Sequence, residues 1–332
     1  MQDRLFVDGC TVSIETPAQA NSFLLALQAA LRAAARPTSY SMLAGITGVA
    51  FRAVPWEYDE QKGWEELAVR MPFIGDALGV RWSIIGSDSA ANETEKHGKR
   101  PGSQTTLLRT QTAPKIAQTV WDDQAIEDIR LLLRRGTPTM VFGGWPGAHA
   151  HLWGLIVGWQ NDIFYGFHTR SSALELLVQP PYVALCFDNP NPPRYSATDM
   201  ARLSLVLCSP AAESDVYDLW ADFLLAPHED PDAWMCHLRL ATLTRDARMA
   251  ALRYLSEVSE LLPGTSTLQL SELDFCYSQT TRSLIRDVDR SYVRAAFTSP
   301  DELQEMRERV LLIKRHESRA AEVLSRLAED LK

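Results

Sequence analysis

The sequence predicts an α+β domain over residues 1–210, followed by an α-helical domain over residues 211–332. In the first part, short apolar runs rich in β-forming residues alternate with Gly, Pro and Asn, a pattern typical of consecutive strands. These runs cover residues 140–142, 155–157, 163–165 and 182–187. After about residue 213 the apolar residues recur at helical spacing instead. Hydrophobic residues make up 46% of the 332-residue chain, which is enough to build a core in both parts.

Helical patterns over about 17–35, 64–79 and 122–135 accompany the strands. The first helix carries two stripes, with large apolar side chains at 23, 24, 27 and 31 and small ones at 22, 26, 29 and 33. Because both stripes can pack, we expect this helix to be central and buried on two sides. The run Thr16-Pro17-Ala18-Gln19 has the pattern of a capping box and predicts that the helix begins there. A last apolar run, 203–208, predicts one more strand.

The C-terminal helices predict one buried ion pair. Ser299-Pro300-Asp301-Glu302 is a capping box that opens the last helix, whose apolar residues follow steps of three and four. Glu317 occupies one of these core positions, where an unpaired carboxylate would cost several kcal/mol. On the helix around 245–262, Arg248 lies one helical step before Ala251 on the apolar face, so we expect it to pair with Glu317. The alternative is that the bundle opens at this level and Glu317 reaches water.

Composition excludes several classes of function. Thirty-three Lys and Arg against 42 Asp and Glu give a net charge of −9, which argues against a general nucleic-acid binder. No apolar run approaches the roughly 20 residues that span a bilayer, so no membrane partner is expected. The N-terminus lacks the basic start and apolar stretch of a signal peptide, which predicts a cytoplasmic protein. The five cysteines are scattered and form no CxxC pair, so we expect no disulfide framework, metal site or cofactor.

Histidines and tryptophans gather around two of the predicted strands. His149 and His151 precede the strand that begins near Trp153, and His168 ends the next strand. Together with Trp145, these residues predict a cleft, because a satisfied core rarely needs that mixture. His149 and His151 could instead be ordinary loop residues, or two metal ligands on one strand face, although no third ligand lies nearby in sequence.

An early helix followed by a late pair of strands with histidines is the layout of papain-like cysteine enzymes, in which a thiolate at a helix N-terminus is activated by a strand-borne His. The run 21–27, Asn-Ser-Phe-Leu-Leu-Ala-Leu, resembles the helix of C39-like peptidases, and 153–159, Trp-Gly-Leu-Ile-Val-Gly-Trp, resembles their His-strand. The segments 40–52 and 245–252 resemble the butirosin biosynthesis protein H family. This resemblance implies a papain-like (C39-type) α+β domain, with an antiparallel sheet packed on a central helix, followed by a helical bundle. It also implies transfer of an acyl or aminoacyl group from a carrier-protein thioester.

The chain departs from the family at each catalytic position. Ser22 stands where the family has its catalytic cysteine. Leu152 stands where the family has its catalytic histidine, and His151 lies one residue away. The third catalytic residue of the family, usually Asp or Asn, falls near His168. We therefore expect a catalytically degenerate protein that binds a small molecule, a peptide or a partner in the former cleft. The alternatives are an acyltransferase that acts on an acyl carrier protein, with Lys96–Arg100 as its basic patch, and a cysteine or serine peptidase or amidase. In either enzyme Ser22, His151 and His168 would be the catalytic residues.

The pocket of such a protein is predicted from the same resemblance. Gly45-Ile46-Thr47-Gly48 lacks the Lys-Ser/Thr ending of a phosphate-binding loop and favours a tight backbone passage beside the central helix. Ser22 could equally be a small packing residue on a buried helix. Arg52 could be a solvated side chain, and the tryptophans could be ordinary core residues. Cys10 could be an incidental thiol or a displaced nucleophile. The candidate pocket residues are Asn21, Gly45, Thr47, Gly48, Arg52, Trp145, His149 and Trp153.

Overall fold

Seven strands among the described residues form one antiparallel sheet. The computed structural model describes residues 4–8, 21–54, 67–68, 70–85, 121–188, 192–207, 215–226, 228, 230–262 and 267–331. The strands are β1 (Arg4–Phe6), β2 (Arg81–Ile84), β3 (Thr139–Phe142), β4 (Trp153–Gln160), β5 (Ile163–His168), β6 (Glu175–Leu176) and β7 (Val183–Asp188). The four strands predicted from apolar runs in 140–187 are therefore confirmed, and so is the mixed α+β class.

Helices lie within the predicted patterns at 17–35, 64–79 and 122–135 and after residue 213, whereas helices at 40–47 and 197–207 were not predicted. The helices of the described residues are α1 (Ser22–Ala33), α2 (Tyr40–Thr47), α3 (Met71–Leu78), α4 (Asp123–Arg134), α5 (Ala197–Leu207), α6 (Asp215–Leu225), α7 (Ala233–Ser259), α8 (Thr267–Ser283), α9 (Arg290–Ala296) and α10 (Pro300–Asp330). The strand predicted at 203–208 is wrong, because residues 197–207 form helix α5. Ser196 accepts a hydrogen bond from the Asp199 N–H at 3.1 Å, which satisfies a free donor of the first turn. Among the residues that the structure describes, no helix is both long enough and apolar enough to cross a membrane.

The chain divides into two compact units. The first takes residues 1–13, 25–37 and 59–193, and the second takes residues 14–24, 38–58 and 194–332. The first unit holds the sheet, and the second is helical. A segment near the N-terminus, which includes α2, thus belongs with the C-terminal helices.

The sheet of the first unit runs in the order β2-β7-β3-β4-β5-β6. β4 is its central strand: β3 pairs with its first half and β1 with its second half, while β5 pairs along its other side. In this register Gly154 lies opposite His168. Directly opposite residues point to the same face of a sheet, so the register fixes which side chains can meet near the end of β5.

Helix α4 covers one face of the sheet. Its buried residues Ala125, Ile129 and Leu133 pack in one cluster with Val141 and Ile156. The three helical residues are four apart, which places them on one stripe. Asp122 caps the helix by accepting a hydrogen bond from the Ala125 N–H at 2.8 Å.

Helix α1 is buried on every side, as its two stripes predict. All residues from 21 to 31 are buried, and the first exposed residue is Arg32. The helix begins at Ser22 and not at the predicted position 17, because Asn21 is non-helical and caps it through a 3.0 Å hydrogen bond from the Leu24 N–H to Oδ1. Thr16–Gln19, on which the earlier start was predicted, lie outside the described residues.

The second unit contains the predicted ion pair. The guanidinium of Arg248 on α7 donates to the carboxylate of Glu317 on α10, with Nε 2.8 Å from Oε1 and Nη2 2.5 Å from Oε2. Both side chains are buried, so the alternative in which Glu317 reaches water is wrong. Ser299 caps α10 by accepting a 3.4 Å hydrogen bond from the Glu302 N–H, which confirms the predicted helix start. The reciprocal half of the capping box is absent, because the Ser299 N–H donates to the Ala296 carbonyl and Glu302 accepts from the Tyr292 hydroxyl.

Candidate functional site

The structure brings together Trp145, His149 and His168 in the first unit, with Glu175 beside them. We call these four residues the Trp145–His168 cluster. The indole of Trp145 lies 5.7 Å from the His168 ring, and the His149 ring stacks on His168 at 4.4 Å with 30° between the planes. Three of these residues were predicted to line the cleft or take part in catalysis. Glu175 was not predicted, because its place depends on how β6 pairs with β5.

Local backbone geometry sends Trp145 back over the sheet. Gly143 and Gly144 follow β3 with φ of +82° and +87°, a region that side-chain-bearing residues rarely adopt. A Cβ on Gly144 would also lie only 2.8 Å from the carbonyl oxygen of Gln179. These two glycines let the chain reverse so that the Trp145 indole lies against the strands.

Two further glycines make room for the indole. A Cβ at Gly154 on β4 would lie 2.5 Å from Cζ2 of Trp145, and a Cβ at Gly166 on β5 would lie 2.9 Å from its Cη2. Side chains at these positions would displace the ring. The glycine pair is therefore the sequence signal for the seat of Trp145, but it can be recognised only once the strand register is known.

His168 is fully buried, and both of its ring nitrogens are engaged. Nδ1 accepts a hydrogen bond from the Arg170 N–H at 3.1 Å, so the proton of the neutral ring lies on Nε2, which donates to Glu175 Oε1 at 3.1 Å. Burial lowers the pKa of His168, and the neighbouring His149 lowers it further, whereas the Glu175 charge acts in the opposite direction. The net effect is a pKa below the ordinary value, which keeps the ring neutral at pH 7.

His149 forms the outer layer of the cluster. It closes a single turn of 3₁₀ helix, Gly147–His149, and is half-buried. Its imidazole has no hydrogen-bond partner among the described residues, so both nitrogens are available to a ligand. His151 lies two residues later and is exposed, outside the cluster.

The indole N–H of Trp145 is buried and makes no hydrogen bond with any residue that the structure describes. A buried donor left without an acceptor costs about 1–3 kcal/mol. Such groups are rare in folded proteins and call for a physical reason. The Oγ1 of Thr169, next to His168 in the chain, is also buried and unpartnered.

Ser22, the predicted nucleophile, is the first residue of α1. Its side chain is 2% exposed, and its Oγ has no hydrogen-bond partner within the described parts of the chain. A serine hydroxyl becomes a useful nucleophile only when a base accepts its proton. In this structure no described group does so.

Asn21 is held by a separate set of contacts in the second unit. Its N–H donates to the Tyr40 hydroxyl at 3.3 Å, and that hydroxyl donates in turn to the carboxylate of Asp246 on α7. Its own side chain caps α1. Asn21 therefore has two structural tasks, joining the start of α1 to α2 and α7.

The Gly45–Gly48 segment has structural contacts of the same kind. Gly45 on α2 faces Tyr254, since a Cβ there would lie 2.3 Å from Cδ2 of that ring. Gly48 ends α2 in the left-handed conformation at φ +81°, and Thr47 donates from Oγ1 to the Leu43 carbonyl at 2.8 Å. Arg52 follows this segment and is half-buried. The tight backbone passage thus lies against α7.

Trp153 lies away from the cluster. Its indole is 1% exposed and packs 5.3 Å from the Phe142 ring. Because it precedes Gly154 in β4, it points to the sheet face opposite to that of Trp145 and His168. The candidates Cys10 and Lys96–Arg100 lie outside the described residues.

A second buried histidine network was not predicted. In the second unit, His237 accepts from the Trp220 indole N–H on Nδ1 at 3.0 Å, and its Nε2 donates to Asp287 at 2.9 Å. Arg309 donates to the same carboxylate at 3.0 Å. Burial would raise the pKa of Asp287, but the hydrogen bonds from His237 and Arg309 bring it below its ordinary value. All ring nitrogens are used, which points to a structural network.

Within the described residues, no three His, Cys, Asp or Glu side chains form a group that could hold a metal ion. Comparison with known proteins found no match to any family model, curated protein or solved structure. The candidate function is therefore argued from the residues of this chain.

Proposed function

We propose that this chain is a catalytically degenerate papain-like (C39-type) protein that binds a small molecule or peptide at the Trp145–His168 cluster. The observation that carries the proposal is the Trp145 indole N–H, a buried donor with no acceptor in the described residues. A ligand that supplies an acceptor would remove the cost of that unpaired group. The fold supports the papain-like assignment: the buried helix α1 precedes strands β2–β7 of an antiparallel sheet, and His168 ends β5 beside the central strand β4.

The chemistry of the cluster favours binding over catalysis. A general base needs a free nitrogen, and His168 has none, because Arg170 N–H and Glu175 occupy both. Ser22 lacks a base among the described residues. His149 is the one histidine of the cluster with free ring nitrogens and partial exposure. These features suit recognition of a polar group better than cleavage of a bond.

The donors and acceptors at the cluster define the ligand class. The indole N–H of Trp145 needs an acceptor such as a carbonyl or carboxylate oxygen. The His149 imidazole can either donate or accept, and its flat ring offers a stacking surface. The best-matched ligand is a small molecule or a peptide group with a carbonyl or carboxylate beside a planar or apolar part.

A ligand screen that reports on Trp145 tests the proposal. Amino acids, dipeptides and small amides and carboxylates are added to ¹⁵N-labelled protein, and the Trp145 indole N–H resonance is assigned by its loss in Trp145→Phe. A ligand should shift this resonance and raise the melting temperature, and Trp145→Phe should abolish the stabilisation. The control is Trp159→Phe, because Trp159 is also buried on the sheet but lies outside the cluster. A ligand that stabilises wild type and Trp145→Phe equally would show that binding lies elsewhere.

An acyl- or aminoacyl-transferring enzyme is the second candidate. It is favoured by the position of Ser22 at the N-terminus of α1, where the helix dipole stabilises developing negative charge. Incubation with a panel of thioesters and esters, read by intact mass, tests it. A stable adduct mapped to Ser22 or Cys10 would support the enzyme and overturn the degenerate assignment.

A further inference from the structure

Four arginines surround the turn that joins α8 to α9. Arg282, Arg286, Arg290 and Arg294 follow one another at four-residue spacing, and all four are exposed. We call them, with Ile285, the Arg282–Arg294 patch. Arg282 lies in the last turn of α8, and Arg290 and Arg294 lie one turn apart on α9. Backbone hydrogen bonds from Ile285 N–H to Arg282 O and from Asp289 N–H to Arg286 O hold the connecting turn.

The positive charge of the patch is not neutralised by the described residues. None of the four guanidiniums lies in an ion pair with a carboxylate of the described chain. The two acids in the same stretch are engaged elsewhere: Asp287 is buried against His237 and Arg309, and Asp289 caps α9 through the Tyr292 N–H. The patch is therefore a local positive surface on a chain of net charge −9.

Aromatic rings hold two of the arginines in place. The Arg286 guanidinium carbon lies 4.3 Å from the Tyr292 ring centre, and that of Arg290 lies 5.3 Å from the Trp234 ring centre. Such contacts orient a guanidinium and leave its N–H groups free to donate to a carboxylate. Arg282 and Arg294 make no contact of this kind with described residues.

An aliphatic side chain lies within the basic group. Ile285 is 56% exposed and comes between Arg282 and Arg286 in the turn. A phosphate backbone offers nothing that would bury it, and the overall negative charge repels a long polyanion. A protein partner can satisfy both requirements, with carboxylates for the arginines and an apolar side chain for Ile285.

We propose that the Arg282–Arg294 patch docks an acidic segment of a partner protein, with carboxylates on either side of an apolar residue that packs on Ile285. Charge complementarity to four unpaired arginines favours an acidic partner. The charge on the two surfaces accelerates encounter, and the apolar contact favours a protein over other anions. This inference does not depend on ligand binding at the Trp145–His168 cluster.

Fluorescence anisotropy with a labelled probe peptide tests the proposal. The probe is a peptide with two glutamates on each side of a central leucine. The full chain should bind it, and the affinity should fall as salt is raised. Arg282→Glu combined with Arg294→Glu should weaken binding by at least about tenfold. Ile285→Ser should weaken it several-fold without changing the salt dependence.

A matched control separates the patch from general electrostatics. Arg253 and Arg315 are also exposed, lie on α7 and α10, and form no ion pair with described residues. Charge reversal at these two positions changes the net charge equally and should leave probe affinity within about twofold. Arg286 and Arg290 stay unchanged in all variants, so that their ring contacts continue to support the fold, and circular dichroism checks each variant.

Three results would overturn the proposal. The first is no binding of the probe by the wild-type chain at low salt. The second is an equal loss in the control variant, which would mean diffuse attraction. The third is binding of duplex DNA or phosphatidylglycerol vesicles as tight as that of the peptide, with no effect of Ile285→Ser, which would identify a general anion surface.

Discussion

Arg248 and Glu317 form a buried, bidentate ion pair between helices α7 and α10. The Arg248 Nε donates to both carboxylate oxygens at 2.8 and 2.9 Å, and its Nη1 donates to the Ala50 carbonyl at 2.7 Å. Thr280 on α8 donates to Glu317 Oε1 at 2.9 Å, and the guanidinium lies 5.2 Å from the Tyr277 ring centre. One charged pair therefore joins three helices and the end of the α2 segment in the second unit.

Removing one charge of this pair should be costly. Glu317→Gln leaves the Arg248 guanidinium buried without a counter-charge, so we expect the free energy of unfolding to fall by about 2–4 kcal/mol. Replacing both residues by Met removes both charges and should recover much of the loss. Urea denaturation of the single and double variants measures this. If the double variant is as unstable as Glu317→Gln, the pair matters through its shape and not through its charge.

Ser22→Ala should leave stability unchanged within about 1 kcal/mol, because the buried hydroxyl has no described partner to lose. Ser22→Leu should cost about 1–3 kcal/mol by overpacking. Ser204→Ala is the matched control: Ser204 is also buried, but its Oγ donates to the Ala201 carbonyl at 2.8 Å and also bonds to the Tyr254 hydroxyl. In thermal melting, the melting temperature of Ser204→Ala should be lower than that of Ser22→Ala. A strongly destabilised Ser22→Ala would point to a partner of the hydroxyl.

His168 should make the protein less stable in mild acid. Its pKa is lowered in the folded state, so below about pH 6.5 the unfolded chain binds a proton that the folded chain does not. The free energy of unfolding should therefore fall as the pH drops from 7 through 6.5 and towards the lower folded pKa.

His168→Gln isolates this contribution, because an amide can still accept from Arg170 N–H and donate to Glu175 without titrating. The variant should lose stability less steeply than wild type between pH 7 and 5, measured by urea denaturation at each pH. The exposed His151→Gln variant should keep the wild-type slope. Identical slopes for wild type and His168→Gln would rule out a lowered His168 pKa.

Gly45 should resist substitution more than its helical position suggests. Alanine normally stabilises a helix interior by about 1 kcal/mol relative to glycine. Here the new Cβ would meet Tyr254, whose hydroxyl is fixed by Ser204, so we expect a net loss of about 1–3 kcal/mol. In a Tyr254→Leu background the same change should cost little, and a double-mutant cycle by thermal melting measures the coupling. An additive double mutant would contradict the close contact.

Patterns of apolar spacing predicted much of the fold. Strands β3, β4, β5 and β7 were recognisable because β-rich runs lie between turn residues, and the Glu317 partner followed from two helical stripes. The run 203–208 was misassigned as a strand because a short apolar segment fits both the helical period of 3.6 residues and the strand period of 2. The buried residues of α5, Ala201, Ser204 and Leu205, follow helical steps of three and one that a strand cannot present on one face.

The site was predictable in composition but not in geometry. The histidines around β4 and β5 marked the region, and the structure brings His149 and His168 together there. Which of them would be buried depended on strand register, and so did the contact with Glu175, because β6 is only two residues long. The His237–Asp287 network was not predicted, because Asp287 lies in the turn between α8 and α9, where no apolar stripe marks a buried position as the stripes did for Arg248 and Glu317.

The buried carboxylate of Asp287 should support stability at neutral pH and lose that role in strong acid. It accepts hydrogen bonds from His237 and Arg309, and these hold its pKa below the ordinary value despite burial. Asp287→Asn keeps an oxygen for His237 Nε2–H but leaves Arg309 without a counter-charge, so we expect a loss of about 2–3 kcal/mol at pH 7. Because the folded pKa is depressed, the contribution is complete above about pH 4, the unfolded value, and disappears as the pH falls through the folded pKa. The difference in unfolding free energy between wild type and Asp287→Asn should thus be constant from pH 5 to 8 and shrink below about pH 4. A gap that persists unchanged at pH 2 would mean that the variant disturbs packing and that the Asp287 charge contributes nothing.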